Sequence, residues 1–423
     1  MLANILSEHY NVDLLVYTTT VSGVSVEEGS FNLINVPFNE ERFVDGNEIY
    51  NFRVTNNYIY VGIYEEIIKN NQVYIPKFNK NFPILDYLRR QNYIFGIAEF
   101  EIMAGSFAVF HELGIKYKFN TAATVFFPYY LQFIGIEVIE EIEAAKIIPE
   151  FYTAKPGDWD KKTGISNKRS VRHSENLQAH KQVNFQKEQD FKNSNQYYDE
   201  FYNYYTNLYN QNVINYQIKQ PSKLEELFKN IDHHFINQNP FGLFEHFPRI
   251  PDKIMYIGGI VVEDKGILTK NKIKRNEPSC VVFLSFGSGN VYGITLKFRK
   301  HIEQMADLFK KHTNCVFKVR LEQGFLPEGY ITQNIVFTDK MVNQQIILAK
   351  TNTKLFISHC GLNSLNEAMY AGVPLICIPY GADQFYNSSL IEHLGIGIYV
   401  KNDDNLIGAL ENALDKILKK ESE

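Results

Sequence analysis

The sequence predicts an α/β protein of two domains, each with a parallel sheet covered by helices. The chain has 423 residues, more than one ordinary hydrophobic core accommodates, so we expect two domains. Apolar runs of strand length alternate with amphipathic runs of helix length, which is the pattern of a doubly wound parallel sheet. Several predicted strands end in glycine or polar residues, at the edge where such sheets bind ligands.

Composition excludes several classes of protein. Hydrophobic residues make up 45% of the chain and charged residues 22%, which is typical of folded proteins. A net charge of −5 and a pI near 6.2 provide no basic surface for nucleic acid. No apolar run approaches the roughly 18 residues of a membrane helix, and no charged-then-apolar leader opens the chain, so as written it is expected to be soluble.

The four cysteines lie in the C-terminal half without CxxC spacing: Cys280, Cys315, Cys360 and Cys377. We interpret them as buried thiols rather than as a zinc site or a disulfide framework.

The first half of the chain is predicted to begin with a helix, because Leu2, Ile5 and Leu6 have helical spacing. The next predicted elements are a strand at 12–17, a strand at 92–100, a helix ending at Gly114 and a strand at 116–126. From about 155 to 230 the chain is rich in Asn, Gln, Lys and Tyr, which predicts a helical insertion whose aromatic face packs in the core rather than lining a ligand pocket.

A segment rich in proline and glycine, 239–260, is interpreted as the connection between the domains. The expected domains are therefore 1–245 and 246–423. In the second domain, strands are predicted at 280–286, 316–321, 334–337, 354–358 and 374–380, and helices at 296–311, 343–350, 364–372 and 405–419.

The strand at 280–286 leads into the glycine-rich stretch SFGSGN, in which Ser288 adds a hydroxyl donor. Backbone N–H groups of such a turn can approach a phosphate. Gly287, Gly289 and Gly293 also nearly spell the dinucleotide fingerprint, with Asp307 about 20 residues on. The third glycine comes one residue late and the acid falls in a predicted helix. A nicotinamide-dependent oxidoreductase is thus an alternative, less favoured interpretation.

His359 follows the strand at 354–358 and precedes a predicted helix, with Gly361 between them. An imidazole beside a helix N-terminus suits a diphosphate, and Asn363 and Ser364 are expected to cap the helix and contact the anion.

Glu367 lies one helical turn after Asn363, on the same face, where a carboxylate can accept both hydroxyls of a ribose. Asp383 and Gln384 follow the last predicted strand and suit the hydroxyls of a sugar. Taken alone, each of these features more often has a structural role than a ligand-binding one. The interpretation as a binding site therefore depends on their joint spacing along the chain.

The order His359, Gly361, Asn363, Glu367, Pro374, Pro379, Asp383–Gln384 resembles the signature segment of UDP-glycosyltransferases, and the segment 239–260 resembles the animal and nematode glucuronosyltransferase-like branch. The resemblance is strongest from about Asn239 onward. It implies the GT-B fold, with two facing Rossmann-like domains, the second holding a UDP-sugar and the first shaping an acceptor pocket.

The resemblance also implies roles for individual residues. Donor-binding residues would be Ser288, Met341, Gln344, His359, Gly361, Asn363, Ser364, Glu367, Asp383 and Gln384. Of these, His359 and Ser288 would contact the diphosphate, Glu367 the ribose, and Gln344 the nucleoside end, while Asp383 and Gln384 would hold the transferred sugar. The implied reaction is inverting transfer of a hexose or hexuronate to a hydroxyl of a small lipophilic acceptor. It needs no metal, because the helix terminus and the hydrogen-bond donors stabilise the departing UDP. It needs no cofactor, since the UDP-sugar is a co-substrate.

Departures from the family pattern qualify this interpretation. Met341 stands where the family usually has a tryptophan that stacks on uracil, so weaker stacking is expected. The family's first strand and the histidine base after it have no counterpart, so the first sheet is expected to lack that strand and catalysis to be impaired.

The acidic partner of the base is assigned to Glu101, with Glu99 as the other register, and His111 is not expected to act as base. The sequence is interpreted as truncated at both ends, with neither the signal nor the anchor of relatives on the endoplasmic reticulum membrane. The alternative function is a non-catalytic UDP-sugar-binding protein.

Overall fold

The computed structural model describes residues 2–17, 29–37, 62–137, 178, 181–182, 206–207, 209–211, 217–245, 247–275, 278–287, 291–321 and 333–420. The chain forms two compact units. The first comprises Met1–Ala123, Gln186–Phe235 and Ile250–Met255, and the second comprises Thr124–Phe185, Ile236–Arg249 and Tyr256–Glu423. The polar insertion predicted at about 155–230 lies mostly outside the described residues.

The elements up to β8 are α1 Leu2–Ser7, β1 Asp13–Val16, β2 Asn32–Asn35, α2 62–68, β3 Gln72–Ile75, β4 Lys80–Pro83, α3 Ile84–Arg89, β5 Phe95–Ala98, α4 Phe100–Leu113, β6 Tyr117–Ala122, α5 Leu224–Lys229, β7 His233–Ile236 and β8 Ile254–Tyr256. Strands β1 and β2 pair in parallel, as do β5 and β6, and one sheet has the order β5-β6-β7-β8. The predicted helix end at Gly114 is confirmed, since this glycine takes a φ of +70° as C-cap.

The strand predicted at 92–100 is shorter than expected, because α4 begins at Phe100. The backbone N–H of Phe100 donates to Asn120 Oδ1 at 2.8 Å, which ties the start of α4 to β6. Glu99 is therefore the residue between the strand and the helix.

A cavity of about 770 Å³ separates β1 from β5 and is lined by residues of both strands. Within the described ranges, each of these strands stands at the edge of its sheet.

The second unit contains α6 Ile260–Lys265, β9 Val281–Ser285, α7 Val291–Lys311, β10 Val316–Arg320, β11 Ile335–Thr338, α8 Gln344–Leu348, β12 Thr353–Ser358, α9 Leu362–Ala371, β13 Leu375–Cys377, α10 Gln384–His393, β14 Gly397–Tyr399 and α11 Leu406–Lys420. Its six strands are parallel in the order β11-β10-β9-β12-β13-β14. Strand order therefore reverses between β9 and β12, which is the doubly wound arrangement that the sequence predicts.

Three elements of this unit were not predicted, α6, α10 and β14. The buried face of α10 carries polar residues, including Asn387, Ser388 and Ser389, so the helix shows no clear apolar stripe. Strand β14 has only three residues, too few for a periodic pattern.

The core of the second unit fixes the positions of the strand ends. All five residues of β9 are buried, as expected for a strand covered on both faces. Phe309 on α7 stacks on Phe317 of β10 with ring centroids 4.3 Å apart, and Leu410 and Leu414 of α11 are fully buried in the same cluster. Each such side chain contributes roughly 1.5–3 kcal/mol of burial free energy. Among the helices described, none is long and apolar enough to cross a membrane.

The cysteines form two disulfides, so the interpretation as free thiols is wrong. Cys280 bonds Cys315 and Cys360 bonds Cys377, with Cα–Cα distances of 4.5 and 5.4 Å, both ordinary for disulfides. Neighbouring strands bring together cysteines that are 35 and 17 residues apart. Linear spacing does not disclose this proximity, because it depends on strand order.

Candidate functional site

The carboxyl ends of β9 and β12 lie side by side, with Ser285 aligned to Ser358. Strand β9 continues into Gly287 and β12 into His359. Because strand order reverses at this point, a crevice opens at the edge of the sheet, which is where α/β sheets bind ligands.

His359 has its imidazole between the backbones of two glycines. A Cβ on Gly287 would lie 2.8 Å from His359 Cε1, and one on Gly361 would lie 2.5 Å from His359 Nε2. Gly287 also has a φ of +84°, which favours glycine. Burial lowers the pKa of His359 to about 4, so the ring is neutral near pH 7 and has one N–H to donate.

Helix α9 points its N-terminus at the same crevice, beginning at Leu362 with Gly361 as N-cap. No side chain in the cap position accepts a hydrogen bond, so the expectation that Asn363 and Ser364 cap this helix is wrong. Both residues lie inside the first turn. Asp383 accepts instead, with its Oδ2 3.3 Å from the N–H of Leu362. A helix N-terminus with its amide groups and dipole favours an anion.

Glu367 is held by two amides rather than solvated. Its Oε2 accepts from Gln344 Nε2 at 2.5 Å and its Oε1 from Gln345 Nε2 at 3.0 Å. The same Gln344 nitrogen lies 3.2 Å from Ser364 Oγ. The structure thus brings Gln344, Ser364 and Glu367 together, as the sequence predicts. Gln345 was not foreseen, because the preceding glutamine carries the family resemblance.

Asp383 and Gln384 lie at the start of α10 with their acceptors largely engaged. Asp383 Oδ2 accepts from Thr124 Oγ1 at 3.1 Å, and burial raises the pKa of this carboxyl group. Gln384 Oε1 accepts from the N–H groups of Tyr380 and Gly381 at 2.7 and 3.1 Å. The oxygen assignment leaves the Gln384 amide nitrogen as the donor for a ligand.

Arg320 is a further candidate site residue, which was not predicted from the sequence. It ends β10, donates through Nη1 to the carbonyl of Gly287, and has Nη2 3.0 Å from Met341 Sδ. Met341 is 71% exposed. The sequence signal that could have identified Arg320 is its position, as a basic residue at the carboxyl end of the strand beside β9. Ser288 lies outside the described residues.

Glu99 and Glu101, the candidate acidic residues of the first unit, lie on either side of Phe100, where α4 begins. Glu99 directly follows β5 and lines the cavity, and its Oε1 lies 3.4 Å from the N–H of Ala123. Burial raises the pKa of Glu99. Glu101 is in the first turn of α4, and neither it nor His111 is among the residues that line the cavity. The geometry therefore favours Glu99 over Glu101 as the strand-end carboxylate.

Sequence comparison places residues 184–423 in the family described as UDP-glucoronosyl and UDP-glucosyl transferase. The chain is 32% identical over 170 residues to Mogroside IIIx synthase of Siraitia grosvenorii, covering 36% of this chain and 35% of that protein. It is 27% identical over 202 residues to a Caenorhabditis elegans protein named as UDP-glucuronosyltransferase ugt-47, covering 46% and 36%. The chain thus matches about a third of the length of these relatives.

The fold is also shared with solved glycosyltransferases. Phytolacca americana UGT2, complexed with UDP-2fluoro-glucose and pterostilbene, superposes with a TM-score of 0.54 at 17% identity, covering 99% of this chain and 85% of that one. This likeness and the parallel sheets confirm the GT-B fold class. The family match extends over more than half of the sequence, from 184 to 423. The chain therefore belongs to the UDP-glucoronosyl and UDP-glucosyl transferase family.

Proposed function

We propose that this protein transfers a hexose or hexuronate from a UDP-sugar to a hydroxyl of a small lipophilic acceptor, with inversion and without a metal. The observation that supports the donor half is the cluster of His359, Gln344, Glu367 and Asp383 around the N-terminus of α9. The acceptor class rests on similarity to proteins such as the one solved with pterostilbene.

In this proposal the diphosphate binds at the N-terminus of α9. The neutral His359 donates its ring N–H to a phosphate oxygen, and the amides of the first turn donate as well. Arg320, whose guanidinium lies against the carbonyl of Gly287, adds a positive charge on the same side. These fixed donors stabilise the charge that develops on the departing UDP, which is the task that a metal performs in other transferases.

Glu367 accepts hydrogen bonds from the ribose hydroxyls. These replace the hydrogen bonds that it accepts from the amides of Gln344 and Gln345. Asp383 and the amide nitrogen of Gln384 bind the sugar hydroxyls, and Met341 packs against the uracil. Inversion follows if the acceptor oxygen bonds to the anomeric carbon from the face opposite to UDP while the bond from that carbon to UDP breaks, with the hydroxyl proton passing to water. The sequence analysis assigned Glu101 as the acidic partner of the family's base. We assign this role, beside the acceptor, to Glu99 instead, whose carboxyl group has a raised pKa.

Calorimetry tests the donor assignment, with UDP, UDP-glucose, UDP-glucuronate and NAD as separate titrants. We expect binding of the uridine nucleotides and none of NAD. His359→Ala should abolish UDP binding while circular dichroism shows that the chain still folds. The control is His312→Ala, because His312 follows α7 and contacts Phe317 instead of the crevice. NAD binding, or unchanged UDP affinity in His359→Ala, would contradict the proposal.

Product formation tests transfer itself. The protein is incubated with each UDP-sugar and a panel of phenols and aliphatic alcohols, and glycosides are detected by mass spectrometry with the anomeric configuration read by NMR. We expect a β-glycoside from an α-linked donor, unaffected by a metal chelator. UDP binding without any product would instead indicate a protein that binds the donor and does not transfer the sugar.

A further inference from the structure

Cys360 adopts an unusual backbone conformation next to the candidate site. It lies between His359 and Gly361 with a φ of +67°, in the left-handed region that residues with a Cβ avoid. Its side chain is fully buried. A residue in this conformation persists only when the surrounding structure holds it there.

The bond from Cys360 to Cys377 is one of the restraints that the structure provides, and another is the hydrogen bond that the Cys360 N–H donates to Ser358 Oγ at 3.0 Å. Cys377 is the last residue of β13, so the disulfide joins the turn after β12 to the end of β13, where the next turn begins. These two turns carry His359 and Asp383. A second link runs in parallel, since Asn387 donates to the carbonyl of Cys360 at 2.9 Å and also hydrogen-bonds Asp383.

We propose that the Cys360–Cys377 disulfide is a positioning device for donor binding. It holds Cys360 at positive φ, and this conformation places the His359 ring between Gly287 and Gly361. The inference rests on the proposed function, because it takes UDP to be the ligand of His359.

Formation of the bridge requires an oxidant while the chain folds. The two thiols lose two protons and two electrons to a small-molecule or protein disulfide, which leaves as two thiols by exchange. Cys360 and Cys377 are both fully buried, so the finished bridge is shielded from thiol reductants. Full donor affinity should therefore develop only in chain that has folded in contact with a disulfide oxidant.

The other disulfide is a matched control. Cys280 and Cys315 precede β9 and β10, so their bridge lies at the amino ends of the strands, away from the crevice. Both bridges belong to the same unit and the same sheet. Removing the control bridge should lower stability by a comparable amount without moving His359.

The experiment compares the wild-type chain, folded with oxidised glutathione, with three double variants. These are Cys280→Ser/Cys315→Ser, Cys360→Ala/Cys377→Ala and Cys360→Gly/Cys377→Ala. Calorimetry gives the Kd for UDP, and peptide mapping without reduction locates the bridges. We expect the serine pair to keep the wild-type Kd, and the alanine pair to bind UDP at least about fivefold more weakly, the lower end of the effect of left-handed strain. The glycine variant should recover the affinity, because glycine takes positive φ freely.

Three outcomes would overturn the inference: a wild-type Kd in the alanine pair, a loss that glycine does not restore, or the absence of a 360–377 bond in the folded chain. Failure of every form to bind UDP would contradict the proposed function instead. In that case the effect of the disulfide on His359 is measured by NMR titration of the imidazole, which needs no UDP. Its pKa of about 4 should rise toward the ordinary value only in the alanine pair, as the ring moves toward solvent.

Discussion

The imidazole of His359 stands so close to Gly287 that a Cβ on this glycine would be 2.8 Å from Cε1 of the ring. Gly287→Ala should therefore displace the ring and strain a backbone whose φ is +84°. We expect UDP affinity to fall about tenfold, within the range of such strain. Calorimetry with UDP measures the change.

Gly381→Ala is the control for that substitution. Gly381 lies in the turn before Asp383, and a Cβ built there meets nothing within 4 Å. We expect its UDP affinity to stay within about twofold of wild type. Equal losses in the two variants would show that the site does not depend on the packing of His359.

Glu367→Gln should weaken UDP binding about tenfold, because it replaces a charged acceptor by a neutral amide that faces two other amides. Gln344 and Gln345 both donate to this carboxylate. Glu411→Gln, in an exposed ion pair with Lys311, is the comparison and should have no effect. The expected loss should disappear when UDP is replaced by inorganic pyrophosphate, which has no ribose.

Met341→Trp should tighten UDP binding by about 1 kcal/mol, or about fivefold, the scale of aromatic stacking. The side chain at this position is 71% exposed, so an indole fits without displacing core residues. Arg320 lies against the methionine sulfur and can then contact the indole face. Met341→Leu is the control, because leucine offers apolar area without an aromatic ring. A gain in UDP affinity of the same size in this variant would contradict the stacking argument.

The lowered pKa of His359 predicts a pH dependence of folding stability. The unfolded chain takes up a proton near pH 6.5, whereas the folded chain does so only near pH 4. Between these values the unfolded state binds more protons, so this contribution to stability is full above pH 6.5 and is lost as the pH falls toward 4. The loss amounts to at most about 3 kcal/mol.

Urea unfolding at several pH values, in wild type and His359→Gln, isolates this contribution. The difference between the two free energies of unfolding should change between pH 6.5 and 4 and stay constant above pH 7. A constant difference over the whole range would show that His359 titrates normally in the folded chain.

Much of the second unit could be predicted from sequence, because its strands are short apolar runs and its helices mostly have an apolar stripe. The helix starts were less accurate: α7 begins at Val291, five residues before the predicted start. Helix α10 was missed because Asn387 and its neighbours place polar groups on the buried face. These polar groups can be buried because Asn387 donates to the carbonyl of Cys360 and Ser388 donates to the carbonyl of Gln384, one helical turn earlier. No local pattern reveals the contact with Cys360.

The sequence by itself predicted the doubly wound sheet from local periodicity, indicated the family through a resemblance, and selected His359, Glu367 and Asp383 as candidate site residues from their linear spacing. Only the tertiary structure decided which groups are partners: Gln345 with Glu367, Arg320 with Gly287, Asp383 with the start of α9, and each cysteine with its mate. The physical reason is that strand order brings together residues from separate turns. Contacts across neighbouring strands depend on that order and leave no signature in the distance along the chain.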